Sequence, residues 1–136
     1  MTDPDRIPCV GAIVLDDAGR ILLVRRANPP AQGRWSLPGG RVEQGEQWED
    51  AVQRELLEET GVAARPVRFV GEVHRDAPGG GVYVIRDFLM RIEGTAEPVA
   101  GDDALETAWF TAEEMGDADT SAGLVQALAG WGVLGQ

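Results

Sequence analysis

Hydrophobic residues occur in short runs separated by turn-forming residues, a pattern that predicts brief strands joined by tight turns. Residues 8–15 and 21–25 are rich in Val, Ile and Leu and predict two strands. The acidic, glycine-containing segment 16–20 predicts a turn between them, so the two strands are expected to pair as a hairpin. Further extended elements are predicted at 35–37, 66–74, 82–92 and 107–110.

The periodicity becomes helical between residues 47 and 60. Apolar residues recur there at three- and four-residue steps from Trp48 to Leu56, without Gly or Pro, and Gly61 follows as a C-terminal stop. Thr111 and Glu114 form a capping-box pattern that predicts the start of a second helix.

A last helical stretch is predicted at 121–129, and no repeat or linker interrupts the chain. The order of elements therefore indicates one mixed α/β domain spanning residues 1–136.

Composition and charge narrow the range of partners. Hydrophobic residues make up 43% of the chain and charged residues 26%, as in a globular protein. The formal net charge is -11 and the chain contains Arg but no Lys, so we expect no binding to duplex nucleic acid or an anionic membrane. Cys9 is the single cysteine, no apolar run is long enough for a membrane span, and the acidic N-terminus does not resemble a secretory signal, which favours a cytoplasmic location.

Three carboxylates fall on one stripe of the predicted central helix. Glu55, Glu58 and Glu59 occupy positions i, i+3 and i+4, an arc of about 100° around the helix axis. Like charges at these spacings repel, whereas a hard divalent cation such as Mg²⁺ prefers oxygen ligands. The stripe is thus a candidate metal site, and the alternative is a solvated acidic face.

The segment from Gly40 to Val62 resembles the Nudix box at all nine of its defined positions within 23 residues. Those positions are filled by Gly40, Glu46, Arg54, Glu55, Leu56, Glu58, Glu59, Gly61 and Val62. The resemblance implies an α/β/α sandwich with a mixed central sheet, in which the box forms a loop–helix–loop. It also implies hydrolysis of a nucleoside diphosphate linked to another group, with Mg²⁺ or Mn²⁺.

The resemblance further implies roles for individual residues. Glu55, Glu58 and Glu59 would bind the metal together with the backbone carbonyl of Gly40, with Glu46 as an outer member of the set. Arg54 would hold the glutamates by charge-assisted hydrogen bonds.

The catalytic base in this family is a box glutamate or an acid from a later loop, for which Asp102 and Asp103 are the candidates here. An ordinary acidic turn is the alternative interpretation of this pair.

The substrate is less constrained by the sequence. Pro78 lies 16 residues beyond Val62, a spacing that resembles ADP-ribose pyrophosphatases, although Pro before three Gly is also simply a turn. A nucleoside triphosphate pyrophosphohydrolase of the kind that removes oxidised dGTP is the alternative. A non-catalytic nucleotide sensor is a further one, which the intact box disfavours.

Candidate substrate contacts are Arg25, Arg26 and Arg34 for phosphate or ribose, and Trp35 for base stacking or, alternatively, for the core. Many members of the family are dimers, so the resemblance also allows for a homodimer.

Overall fold

Short strands and helices follow one another along the chain in the predicted order, with one further strand at 39–41 that the sequence analysis does not predict. The computed structural model describes residues 5–28, 32–94, 97–101 and 104–134. The strands are β1 (Arg6–Ile13), β2 (Ile21–Arg26), β3 (Trp35–Ser36), β4 (Gly39–Arg41), β5 (Ala64–Asp76), β6 (Val82–Ile92) and β7 (Ala104–Phe110). The helices are α1 (Trp48–Thr60), α2 (Ala112–Asp117) and α3 (Leu124–Gly130).

The strands form two sheets. The larger has the order β4-β1-β6-β5, in which β1 and β6 run parallel while the other neighbours are antiparallel. The smaller has the order β3-β2-β7 and is antiparallel. The predicted mixed α/β architecture is confirmed.

The predicted hairpin between the first two strands is wrong beyond its turn. Asp16 organises that turn by accepting hydrogen bonds from the backbone N–H of Ala18 and Arg20, at 3.0 and 2.8 Å. Pairing stops after the bridge between Leu15 and Ile21, because β1 continues into the larger sheet and β2 into the smaller one. The longer-range pairings of β1 with β6 and of β2 with β7 therefore replace the local hairpin.

Helices cover both faces of the larger sheet. Successive residues of a strand point to opposite faces. On β6, Phe88 and Met90 pack in one apolar cluster with Val52 and Leu56 of α1, whereas Leu89 packs in a second cluster with Leu128 of α3. This arrangement places the sheet between the helix of the predicted box and the C-terminal helix.

The helix ends follow the sequence signals. Gly61 takes a φ of 72° and its N–H donates to the carbonyl of Leu57, which closes α1. The Thr111 side chain accepts from the N–H of Glu114 at 3.1 Å and the Glu114 carboxylate accepts from the N–H of Thr111 at 2.8 Å, which confirms the capping box. The last helix starts later than predicted, because Gly123 precedes it with a φ of 81°.

Within the described ranges, no helix has the length and apolar composition needed to cross a membrane.

The C-terminal end of α3 is held against β5 by a close approach. The Trp131 ring lies over Gly71 so closely that a Cβ at this position would overlap with it. We expect Gly71→Ala to lower the free energy of unfolding by about 1–3 kcal/mol, since the ring has to move away.

Gly116→Ala in α2 is the matched control, because a Cβ there meets nothing within 4 Å. Thermal or denaturant unfolding of both variants checks the expectation, and equal stability of Gly71→Ala and the wild type would contradict it.

Candidate active site

Arg54 lies at the centre of the acidic stripe. Its Nε and Nη2 donate to the two carboxylate oxygens of Glu46 at 2.8 and 3.0 Å. Its Nη1 lies 2.9 Å from Glu55 Oε1 and 3.2 Å from Glu58 Oε2. Nη2 also donates to the carbonyl of Arg41 at 3.0 Å, which ties the helix to β4.

This contact set explains the electrostatics of the stripe. Hydrogen bonds from Arg54 lower the pKa of Glu46 to about 2. The carboxylates of Glu46, first, and of Glu55 raise the pKa of Arg54 above its usual value. One guanidinium thus offsets the repulsion that Glu46, Glu55 and Glu58 would otherwise exert on one another.

Glu59 contacts β4. Its side chain is buried, and Glu59 Oε2 accepts a hydrogen bond from the N–H of Gly39 at 3.1 Å. The next residue, Gly40, lies against Glu55: a Cβ at Gly40 would lie 2.5 Å from the Glu55 carboxyl carbon. A glycine is needed here because the carboxylate occupies the space that any side chain would take.

Glu46, Glu55, Glu58 and Glu59, together with Arg54, form an acidic cluster. The donor chemistry of this acidic cluster suits a hard divalent cation. The oxygen ligands on offer are the carboxylate oxygens and the backbone of Gly40. A cationic group, Arg54 Nη1, already lies between Glu55 and Glu58. Among the residues that the structure describes, no three His, Cys, Asp or Glu side chains converge closely enough to hold a metal as they stand. Glu55 and Glu58 would therefore have to exchange their contacts with Arg54 for contacts with the ion.

A cavity of about 440 Å³ opens beside the cluster, between α3 and the sheet face opposite α1. Gly40 and Arg41 form part of its wall, so the cavity and the acidic cluster are contiguous. Four arginines line it: Arg26, Arg34, Arg41 and Arg75. In a chain this acidic, such a concentration of guanidinium groups favours an anionic ligand.

Comparison with known proteins settles the family. A sequence model of the NUDIX domain matches residues 5–128. The chain belongs to the Nudix hydrolase family. The match confirms the resemblance based on the box and, with it, the hydrolase class.

Individual Nudix relatives carry different substrate names. A protein of Methanocaldococcus jannaschii named ADP-ribose pyrophosphatase is 38% identical over 100 residues, which cover 71% of this chain and 57% of that protein. A Mycobacterium tuberculosis protein named putative 8-oxo-dGTP diphosphatase 2 is 35% identical, over 85% of this chain and 79% of its own length. The crystal structure of the MutT protein from Methanosarcina mazei Go1 superposes with a TM-score of 0.84 at 25% identity and covers 96% of each chain.

Two of the four predicted substrate contacts line the cavity and two do not. Arg26 and Arg34 line it. Arg25 instead pairs with Glu106 at 2.8 Å, and Trp35 packs edge-on against Phe110 with ring centroids 4.8 Å apart. A substrate-binding role for Arg25 and Trp35 stays a prediction, as does the role of Arg26 and Arg34.

The predicted later acid, Asp102 or Asp103, lies outside the described residues.

Sequence reasoning missed four charged residues of the cavity: Arg41, Arg75, Asp76 and Asp87. For Asp87, the hydrophobic pattern of the sequence contains a signal. Asp87 alternates with Tyr83, Ile85 and Leu89 on one face of β6, so an acid occupies a position where the pattern predicts an apolar residue.

Replacing Arg54 tests whether it holds the stripe together. We expect Arg54→Gln to lower Tm by several degrees in EDTA, since Glu46, Glu55 and Glu58 then repel one another without a compensating charge. Added Mg²⁺ should raise the Tm of this variant by more than it raises that of the wild type.

Arg91→Gln, on an exposed part of β6, is the control for loss of one positive charge. If both variants melt alike in EDTA and in Mg²⁺, Arg54 does not organise the glutamates.

Proposed function

We propose that this Nudix hydrolase cleaves the pyrophosphate bond of a nucleoside diphosphate derivative with the help of Mg²⁺ or Mn²⁺, and that ADP-ribose or a similar nucleotide sugar is its substrate. The observation that carries the proposal is the contiguity of the cavity with the acidic cluster at Gly40. A nucleoside bound in the cavity would direct its diphosphate to Glu55 and its neighbours.

The metal ion and the arginines of the cavity would have complementary roles. Glu55, Glu58 and Glu59, with the carbonyl of Gly40, would hold the metal. When bound, Mg²⁺ or Mn²⁺ neutralises pyrophosphate oxygens and lowers the pKa of a water molecule. The cavity arginines would bind the phosphate oxygens or the ribose, and Arg54 would keep the glutamates in position.

The reaction itself is a displacement at phosphorus. The water oxygen forms a bond to one phosphorus while the bridging P–O bond breaks, so ADP-ribose would give AMP and ribose 5-phosphate. A carboxylate takes the proton of the attacking water. A box glutamate or Asp103, with Asp102 beside it, is the proposed acceptor.

A second candidate function is the pyrophosphohydrolysis of a nucleoside triphosphate such as 8-oxo-dGTP. The mycobacterial relative of that name is matched over 79% of its length, whereas the archaeal ADP-ribose pyrophosphatase is matched over 57%. The proline spacing supports the first candidate only weakly, because Pro78 lies in the exposed turn between β5 and β6.

Three attributes of the chain are part of the same proposal. We infer a cytoplasmic location and a small-molecule substrate rather than nucleic acid or membrane, and assembly as a homodimer in keeping with other family members.

A substrate panel distinguishes the candidates. ADP-ribose, NADH, diadenosine polyphosphates, common NTPs and dNTPs, and 8-oxo-dGTP are incubated with the protein in Mg²⁺ and in EDTA, and products are detected as phosphate after phosphatase treatment. EDTA-sensitive turnover of ADP-ribose is expected. Turnover confined to a triphosphate would favour the second candidate, and binding without any turnover would indicate a sensor.

Replacement of the box glutamates tests the ligand assignment. We expect Glu58→Gln or Glu59→Gln to reduce kcat by orders of magnitude with Mg²⁺ while the fold persists, because a neutral amide binds a hard cation poorly.

Glu49→Gln, at the exposed start of the same helix, is the matched control and should keep wild-type kcat. Wild-type rates in either test variant would refute the assignment.

A further inference from the structure

A buried carboxyl group lies in the wall of the cavity, away from the acidic cluster. Asp87, on β6, is 4% exposed and shares its face of the strand with Tyr83 and Ile85. Within the described part of the chain, no hydrogen bond reaches its carboxyl group. Because this carboxyl group is largely removed from bulk water and opens onto the cavity, a ligand that enters the cavity can supply its hydrogen-bond partners.

The surroundings of Asp87 favour its neutral form. Burial raises the pKa of this carboxyl to about 7, against the weaker opposing influence of Arg75. Arg75 is engaged with the backbone, since its Nε donates to the carbonyl of Ala122 at 3.1 Å and its Nη1 to that of His74 at 2.9 Å. The other charged or titratable groups that line the cavity are Cys9, Arg26, Arg34, Arg41, Asp76 and Tyr83.

The sheet register relates Asp87 to the acidic cluster. Asp87 is the partner of Gly11 on β1, and Gly11 is the partner of Gly39 on β4. Two strand spacings of ~4.8 Å place Asp87 about 10 Å from Gly39, next to Gly40 and its contact with Glu55. The Asp87 carboxylate also fills the space that a Cβ at Gly11 would need. Glu55 lies on the α1 side of the sheet and Asp87 on the cavity side, so a ligand with its diphosphate at Glu55 would pass the edge strand β4 to bring its base towards Asp87.

We propose that Asp87 is the residue that reads the base: as a carboxylic acid, it donates its O–H to a ring nitrogen and accepts a hydrogen bond from the adjacent exocyclic amine. This inference rests on the proposed function for the identity of the ligand. Adenine, through N1 and N6, and cytosine, through N3 and N4, present such an edge. Guanine and uracil instead carry an N–H at the corresponding ring position and a carbonyl oxygen beside it, so they would pair with the acid only if its O–H and C=O exchanged places.

The test uses binding to the metal-free protein, so that catalysis does not enter. ADP-glucose, CDP-glucose, GDP-glucose and UDP-glucose are titrated calorimetrically in EDTA at about pH 6 and about pH 8.5, a range in which their doubly esterified diphosphates do not change charge. With a pKa of about 7 for Asp87, the affinity for ADP-glucose or CDP-glucose should fall by roughly ten- to thirtyfold between these pH values. Comparison of the four ligands identifies which amino-bearing base the cavity accepts.

Two variants separate base reading from a structural role. Asp87→Asn keeps one donor and one acceptor in the same shape, so its affinity should stay near the wild-type value at low pH and lose its pH dependence. Asp87→Leu should bind the preferred sugar nucleotide at least about tenfold more weakly at about pH 6. Glu72→Gln, a carboxylate on the neighbouring strand that pairs with Arg86 outside the cavity, is the control and should bind like the wild type.

The proposal is overturned if Asp87→Asn retains the wild-type pH dependence, if GDP-glucose or UDP-glucose binds as tightly as the amino-bearing nucleotides at about pH 6, or if none of the four binds. Should the wild type bind as expected in EDTA yet hydrolyse nothing with Mg²⁺, base reading stands and the proposed hydrolysis fails.

Stability gives a second readout without ligand. The pKa of Asp87 is higher in the folded chain than its usual value, so the folded state binds more protons and the contribution of Asp87 to stability falls as pH rises from about 4 to about 7. The Tm of Asp87→Asn relative to the wild type should therefore increase over this range. A difference in Tm independent of pH would place the titrating group elsewhere.

Discussion

The candidate active site depends on one cationic side chain placed among several anionic ones. Arg54 forms two hydrogen bonds with Glu46 and reaches Glu55 and Glu58 from the same guanidinium, while its contact with the carbonyl of Arg41 fixes α1 to β4. The C-terminal half of a helix is an unfavourable place for carboxylates, because the helix dipole is negative there. Without an internal cation, the repulsion and the dipole would act together against this arrangement.

The glycines of β1 and β4 provide the second constraint. Gly11, Gly39 and Gly40 lie next to one another in the register, and at each a side chain would meet a neighbour: Asp87 at the first, the backbone of Val10 at the second and Glu55 at the third. Side chains from β6 and α1 therefore reach the space that these strands leave free. The cavity and the acidic cluster can meet at this edge of the sheet only because the strand residues between them have no side chains.

Local features of this fold could be predicted from the sequence, whereas features that depend on distant contacts could not. The bounds of α1, the glycine that ends it and the capping box at Thr111 follow from residues a few positions apart. The division of β1 and β2 between two sheets depends on β6 and β7, which lie far along the chain. The box spacing indicates which glutamates cluster, but the burial of Asp87 and the position of Arg75 arise only when α3 packs on the sheet.

The contacts of Arg75 have a consequence for the C-terminal part of the chain. By donating to the carbonyl of Ala122, this β5 side chain joins the sheet to the segment that precedes α3. One wall of the cavity is formed by Ser121, Ala122, Leu124 and Ala127. The carboxylates of the acidic cluster lie on α1 and in the loop before it. On the proposed function, the carboxylates that would bind the cation and the α3 residues that would enclose a nucleoside lie in separate stretches of sequence, so a change in the last helix could alter substrate choice without altering those carboxylates.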